Sequence, residues 1–356
     1  MKMKKAHRIF AINVGSTSTK VAFSEDAKAV AQKTIAYSSQ ELAVYAELRD
    51  QLPRRRQDVM AFMEKNGIAL DQLDIIISRG GLGKPGPAGA YIIDEALCED
   101  LLAGRYGKHP SALGPAIALD MAKPSGIRAI IVDPPSTDEF EPLARVSGLP
   151  DIERKSAFHA LNQKTAARKT AEKMGKSYET VNLVVAHLGG GITIGAHRQG
   201  RVIDCTHGLS EGPFTPERSG SLPTLELVEL AQTAKYTPKD LQRKLVGQGG
   251  LAAYLGTTDA IAIESAIDKG DEKSMFIYQA MAYQIAKDIG AMAAVLSGQV
   301  DGIVLTGGLA HSKRLVGWIT KRTQFIANIF LHPGEDEMAA LAEGALRVLL
   351  GQEEAV

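Results

Sequence analysis

The hydrophobic pattern opens on Ile9 to Phe23, where two apolar runs flank a polar turn: Ile-Phe-Ala-Ile-Asn-Val-Gly-Ser-Thr-Ser-Thr-Lys-Val-Ala-Phe. The pattern predicts strand, tight turn, strand. Gly15 is expected to let the backbone turn where a side chain would clash. Ser16, Thr17, Ser18 and Thr19 supply hydroxyls and Lys20 a positive charge. Exposed N–H groups, hydroxyls and one cation on a turn suit a phosphate, and they equally describe an ordinary hairpin.

Ala27 to Tyr37 continues strand-like, and Ser39 to Asn66 carries a helical period broken at Pro53, with Arg54-Arg55-Arg56 expected as a solvated helix start. Leu73 to Ser78 is a short β-branched run of the kind buried in parallel sheets. It ends in the glycine loop Arg79 to Pro87, at the carboxyl end of a strand, where α/β proteins place ligands. At that position Arg79 reads as an anion contact rather than a surface arginine. Tyr91 to Leu102 predicts a helix with Asp94 in its first turn, and His109 to Pro115 a loop leading into another. Arg128 to Val132 predicts a further buried strand, and Asp133 beyond it either serves a magnesium-nucleotide or caps the next turn. The character changes near Leu149-Pro150, which sets the expected boundary between domains 1–150 and 151–334, with a final helix of about 335–356 joining the first. Lys155 to Met174 reads as helical, and His159 near its start reads by itself as structural.

The opening pattern then recurs. Leu183 to Asp204 reads strand, glycine turn, strand, turn, strand, and overlays the first hairpin at a constant offset of 174, with Asn13 on His187, Gly15 on Gly189, Thr19 on Thr193 and Ala22 on Ala196. Ile75 to Leu82 likewise recurs as Gly302 to Leu309, at an offset of 227. The larger offset implies an insertion, beginning at Gly208 to Pro223, a Gly- and Pro-rich loop in which Arg218 is a second candidate anion clamp. Repetition on this scale means two similar lobes. Leu225 to Leu245 reads as helices, Met275 to Leu296 as a buried small-residue helix, and Gly307-Gly308 either supports a purine and ribose or is a packing pair. Glu335-Asp336-Glu337 opens a helix from Met338 to Leu350, where acids suit the helix dipole as well as a metal.

Charge and composition narrow the class. Acidic and basic residues balance at 41 each, so no net field points to nucleic acid. Cys98 and Cys205 show no metal spacing and suit a reducing compartment, no run is long enough to span a bilayer, and the N-terminus lacks a signal pattern. The expectation is a soluble cytoplasmic α/β protein.

Two facing lobes, each with a glycine-hydroxyl hairpin, would grip a polyphosphate between them, and no Gly-x-x-x-x-Gly-Lys-Ser/Thr motif offers a P-loop instead. Asn13-Val-Gly-Ser-Thr-Ser-Thr-Lys20 resembles the signature of the acetate and butyrate kinases, the acetokinase family, and His187-Leu-Gly189-Gly190-Gly191 resembles its second phosphate hairpin. The resemblance spans about residues 7–350 and implies the actin/Hsp70/sugar-kinase (ribonuclease H-like) fold, with an ATP cleft between two lobes. Phe158 to Lys164 and Gly212 to Arg218 resemble the butyrate kinases; the acetate kinases carry a histidine-richer motif after Phe-His and a longer chain. The implied reaction is ATP plus a short-chain carboxylate giving ADP plus an acyl phosphate, reversibly and with Mg²⁺. By the same resemblance Asn13, Ser16, Ser18 and Lys20 hold phosphate oxygens and the attacking carboxylate, and Arg79 binds the substrate. Arg218 and His187 would serve the phosphoryl group in flight, with His159 near it. Asp133 and Glu337 would organise Mg²⁺, and Gly189–Gly191 with Gly307-Gly308 would contact the nucleotide. At least a dimer is implied, with neither nucleic acid nor membrane as partner.

Overall fold

The computed structural model describes residues 6–233 and 235–356. The chain divides into two compact units, Met1–Thr137 with Asp336–Val356, and Asp138–Glu335. The first division thus falls after Thr137, earlier than the boundary expected at 150. Among the described residues no helix is long and apolar enough to cross a membrane.

The first unit is built on β1 (Arg8–Val14), β2 (Ser18–Glu25), β3 (Lys28–Ala36), β4 (Ile75–Ser78), β5 (Ala90–Ile92) and β6 (Arg128–Val132), paired in the order β3-β2-β1-β4-β6-β5. β1, β4 and β6 run parallel and are apolar on both faces, as strands covered from both sides must be. One face packs through Phe10, Ile12 and Ile76 onto the helices Leu52–Lys65 and Leu113–Ala122, which supply Val59, Phe62, Leu113 and Ile117. The helix Glu337–Leu349 returns to this sheet, with Leu341 and Ala345 fully buried, and Gly344 brings its backbone against Val132. Each such Leu or Ile contributes roughly 1.5–3 kcal/mol on leaving water.

The helical expectations shift in detail. Pro53 does not break a helix; it sits in the first turn of Leu52–Lys65, where the missing N–H costs nothing, and the break falls after Leu42. Asp94 is the cap of Glu95–Ala103, its Oδ1 accepting the Leu97 N–H at 2.7 Å, while Tyr91 belongs to β5. The helix expected from Lys155 begins only at Ala160, leaving His159 at its cap position.

The second unit repeats the plan with β7 (Asn182–Leu188), β8 (Ile192–Arg198), β9 (Arg201–Cys205), β10 (Gly302–Gly307) and β11 (Ile329–Pro333), in the order β11-β10-β7-β8-β9. The long helix Glu272–Val295 covers one face through Tyr278, Met281, Ile285 and Ile289, and so is a core helix. The helix Ala160–Lys173 covers the other through Ala166, Ala167 and Ala171. The inserted residues form four short helices, Thr224–Gln232, Pro238–Leu245, Gly250–Leu255 and Ala260–Asp268.

The two sheets correspond residue by residue. Ile9 pairs with Ile75 in one, and Leu183, 174 later, with Gly302, 227 later, in the other. The hairpins, however, do not keep the constant offset. Asn13 lies opposite Lys20, whereas His187 lies opposite Thr193. The second turn is one residue shorter, so Thr193 stands where Lys20 stands, not Thr19, and Ala196 corresponds to Phe23, not Ala22. The bulges confirm this: one falls between Phe23 and Ser24, the other between Ala196 and His197. A turn packs against nothing that fixes its length, so a residue lost there displaces everything after it.

Candidate active site

In the first unit three donors converge on one carboxylate. Asn13 and Lys20 are direct cross-strand partners, so their side chains leave the same face. Asn13 Nδ2 donates to Glu337 Oε2 at 2.6 Å, Lys20 Nζ lies 3.5 Å from the same oxygen, and Arg79 Nη1 lies 2.9 Å from Oε1. Arg79 follows β4, and Glu337 opens its helix, capped by Asp336 Oδ1 on the Ala339 N–H. The acid expected as a metal ligand is therefore neutralised by the protein's own cations. Arg79 does hold a carboxylate, but one supplied from within the chain.

The turn between β1 and β2 is held from behind. Gly15 lies outside the left-handed region, and a Cβ there would come no closer than 3.5 Å to any atom, so the turn does not depend on glycine. It depends on Arg55, which is 1% exposed rather than solvated. Its Nη2 donates to Ser16 O and its Nη1 to Ser18 O and Thr19 Oγ1, each at 3.0 Å. Its guanidinium also stacks 4.5 Å over Tyr37. With these carbonyls turned to Arg55, Ser16 remains exposed and Ser18 half-buried. Asp133, after β6, is buried at a φ of 42°, and its Oδ1 accepts the Gly89 N–H at 3.1 Å.

His109 was not singled out by sequence reasoning. It caps the turn Pro110–Ala112, its Nδ1 lying 2.7 Å from Ser111 Oγ. Burial first, and the Arg79 charge second, push its pKa below the ordinary value, which keeps the ring neutral beside the guanidinium. The available signal was a His-Pro pair ahead of a helix, read only as a loop.

In the second unit the positions matching Asn13 and Lys20 are His187 and Thr193, and His159 joins both. Its ring stacks on His187 with centroids 3.8 Å apart at 17°, and its Nδ1 lies 2.9 Å from Thr193 Oγ1. His187 Nδ1 lies 2.8 Å from Asn162 Oδ1, and its Nε2 lies 3.8 Å from Glu335 Oε2. His159, read by itself as structural, is thus part of a paired-imidazole centre.

Arg218 is anchored by Nη1 donating to Gly208 O at 2.7 Å, and its backbone N–H donates to Thr215 Oγ1 at 3.0 Å. Thr215 Oγ1 in turn donates to Gly190 O at 2.7 Å, tying the inserted loop to the glycine turn. A Cβ on Gly191 would lie 2.2 Å from Arg218 Nη1, so this glycine makes room for the guanidinium. Among the described residues Arg218 Nε is buried without a hydrogen-bond partner, and burial lowers the guanidinium pKa. Gly307 and Gly308 separate into two roles. Gly307 has φ of 88° and a Cβ there would strike Leu188 O at 2.4 Å, whereas Gly308 faces open space. Gly307 is thus the packing residue of the pair and Gly308 the one open to a ligand.

Among the described residues no group of three or more His, Cys, Asp or Glu could hold a metal ion. Mg²⁺ asks for less than that: one or two carboxylates beside phosphate oxygens, with waters retained. Asp133 and Glu337 are oxygen donors of that kind, but both Glu337 oxygens are held here by Asn13, Lys20 and Arg79, so Glu337 would fit the ion only with those donors turned to an incoming acid.

The sequence profile of the Acetokinase family matches residues 151–322. Over those residues, just under half of the chain, the sequence is similar to that family. The chain is similar to the crystal structure of Porphyromonas gingivalis acetate kinase, with TM-score 0.77 and 18% identity over 97% of this chain and 100% of that one. It is similar to a propionate kinase from Francisella tularensis, with TM-score 0.76 and 16% identity over 95% and 98%. A ROK family transcriptional regulator, a homolog of the E. coli MLC protein, matches with TM-score 0.52 and 14% identity over 97% and 78%. The fold is therefore the α/β, two-sheet, actin-like fold that these proteins share.

Proposed function

We propose that the chain is a short-chain carboxylate kinase acting on butyrate: ATP plus butyrate gives ADP plus butyryl phosphate, reversibly. The observation that carries this reading is the convergence of Asn13, Lys20 and Arg79 on a single carboxylate. A pocket that gathers two cations and an amide around one acid group has the chemistry to receive the acid to be phosphorylated. The acetokinase match over 151–322 supports the reaction class, and the Phe158–Lys164 and Gly212–Arg218 patterns support butyrate.

A carboxylate is already a nucleophile, so no strong general base is required. The obstacle is bringing one anion to another, and positioned cations address it. In this reading Arg79 holds the acid, while Asn13, Ser16, Ser18 and Lys20 hold phosphate oxygens at the first hairpin. Gly189–Gly191 and Gly308 take the nucleotide. His187 and Arg218 steady the phosphoryl group, His159 supports His187, and Asp133 and Glu337 are the residues that would hold Mg²⁺. When bound, Mg²⁺ would shield the phosphate charge. The reading carries with it a cytoplasmic enzyme that is at least a dimer.

Acetate or propionate as main substrate is the second reading, favoured by the acetate kinase and propionate kinase among the similar structures. One methylene in an apolar pocket discriminates by only about 1–3 kcal/mol. The test traps acyl phosphates as hydroxamates from ATP, Mg²⁺ and acids of two to five carbons, isobutyrate included. Butyrate is expected to exceed acetate and propionate. A maximum at acetate or propionate overturns the substrate, a maximum at isobutyrate moves it to the branched acid, and steady ATP hydrolysis without hydroxamate overturns the reaction class in favour of a chaperone-like ATPase.

A further inference from the structure

Beneath His159 lies a buried chain of hydrogen bonds that the proposed reaction does not itself use. Tyr178 Oη lies 2.7 Å from His197 Nδ1, and His197 Nε2 lies 3.0 Å from Gln163 Oε1. Gln163 Nε2 donates to Thr193 Oγ1 at 2.8 Å and to Thr193 O at 3.1 Å. Thr193 Oγ1 then meets His159 Nδ1 at 2.9 Å. His197, Gln163 and Thr193 are wholly buried. The backbone leaves room for the central link, since a Cβ on Gly195 would lie 2.6 Å from Gln163 Oε1.

We infer that Tyr178, His197, Gln163 and Thr193 form a positioning relay that fixes His159 as the neutral tautomer carrying its proton on Nε2. The direction of each bond follows from the donor and acceptor inventory. Gln163 spends both amide hydrogens on Thr193, and its Oε1 can only accept. His197 Nε2 must therefore be the N–H, which leaves Nδ1 bare to accept the Tyr178 hydroxyl proton. Thr193 Oγ1 accepts from Gln163 Nε2 and, at 3.5 Å, from the His159 backbone N–H, which uses both lone pairs, so its one hydrogen goes to His159 Nδ1. That nitrogen is bare, and the His159 proton sits on Nε2. Burial, with the charges of Lys164 and Arg168 behind Tyr178, keeps His197 neutral and the relay one-directional.

The consequence falls on the stacked partner. Two imidazolium rings 3.8 Å apart would repel, and a His159 held neutral removes that obstacle. His187 donates from Nδ1 to Asn162 Oδ1 and has Glu335 Oε2 3.8 Å from Nε2, so His187 is the ring of the pair equipped to take a proton. Its use on a phosphoryl oxygen rests on the carboxylate-kinase reading; the tautomer of His159 does not.

The test is a long-range ¹H–¹⁵N spectrum of the uniformly ¹⁵N-labelled full chain, in which protonated and bare ring nitrogens resonate far apart. In the wild type His159 is expected as the Nε2–H form alone; an Nδ1–H form or a mixture overturns the relay, and no variant is needed to see it. Thr193→Val removes the hydroxyl and should release His159 into a mixture, lowering kcat roughly ten- to a hundredfold while the KM for ATP stays within about twofold. Gln163→Glu, which cannot donate, should reverse the tautomer. An unchanged His159 pattern in either folded variant also overturns the proposal. If the spectra are as expected but no acid is phosphorylated by the wild type, the relay stands and the kinase reading fails.

Discussion

Arg79 Nη1 lies 2.9 Å from Glu337 Oε1, joining the end of β4 to the first residue of a helix far away in sequence. The pair has side-chain exposures of 30% and 15%, and half-exposed pairs add little to stability, typically about 0–1 kcal/mol. On the proposed function, its worth lies in holding a guanidinium ready for an acid. Arg79→Ala is expected to lower kcat/KM for the carboxylate by at least about 10²-fold, with the urea midpoint nearly unchanged. Steady-state kinetics beside a urea titration separate the two effects.

Arg55 should behave in the opposite way. Its guanidinium is buried and donates to Ser16 O, Ser18 O and Thr19 Oγ1. Arg55→Ala leaves these acceptors unsatisfied, at about 1–3 kcal/mol for each such group, so the expected loss is at least about 2 kcal/mol in unfolding free energy. Arg55→Lys should recover little of it, because an ammonium cannot span acceptors set out for a fork. The ATP KM should rise in both variants as the turn loosens. A midpoint within error of wild type for Arg55→Ala would remove Arg55 from this role.

Gly191→Ala tests the second unit. The added Cβ would lie 2.2 Å from Arg218 Nη1, and the far end of a side chain moves more readily than backbone. The variant should fold with stability within about 1 kcal/mol of wild type, yet lose kcat on the scale of Arg218→Ala, about 10²–10³-fold. Circular dichroism and the hydroxamate assay on both variants decide it.

The repeated strands were legible because apolar alternation and strand-end glycines survive in both copies: β1 and β7 begin and end 174 residues apart. The one-residue difference between the turns was not, because a constant offset cannot register a deletion. That is why Thr193 emerged as the counterpart of Lys20, and not of Thr19, only from the pairing. Arg54-Arg55-Arg56 was misread for a related reason. A charge run looks solvated, and nothing in the sequence marks which of three arginines points at the carbonyls of a distant turn. His109 escaped notice because its neighbour Arg79 is close in space but not in sequence.

A pH dependence of stability is expected from His332. Its Nε2 lies 3.0 Å from Thr170 Oγ1, and burial first, then Lys173 and Lys169, push its pKa from 6.5 down to about 4. The unfolded chain therefore binds the proton more readily than the folded one. The stabilising contribution is complete above pH 6.5 and is lost as the pH falls through that window toward about 4. Urea midpoints of wild type and His332→Gln measured from pH 7.5 to 4 should converge on a smaller acid sensitivity in the variant. Parallel curves would dismiss the effect.

The return of Asp336–Val356 to the first unit has a temporal side. On a ribosome the strands carrying Asn13, Lys20 and Arg79 emerge early, while their common partner Glu337 is made only after the whole of Asp138–Glu335. At about 5–20 residues per second that interval is on the order of ten to forty seconds. During it the nascent first unit carries its positive cluster without the acid that quenches it, and lacks the helix that packs on β1 and β4. The second unit can complete its own sheet in that time, so the order of synthesis makes the last-formed half the one read first.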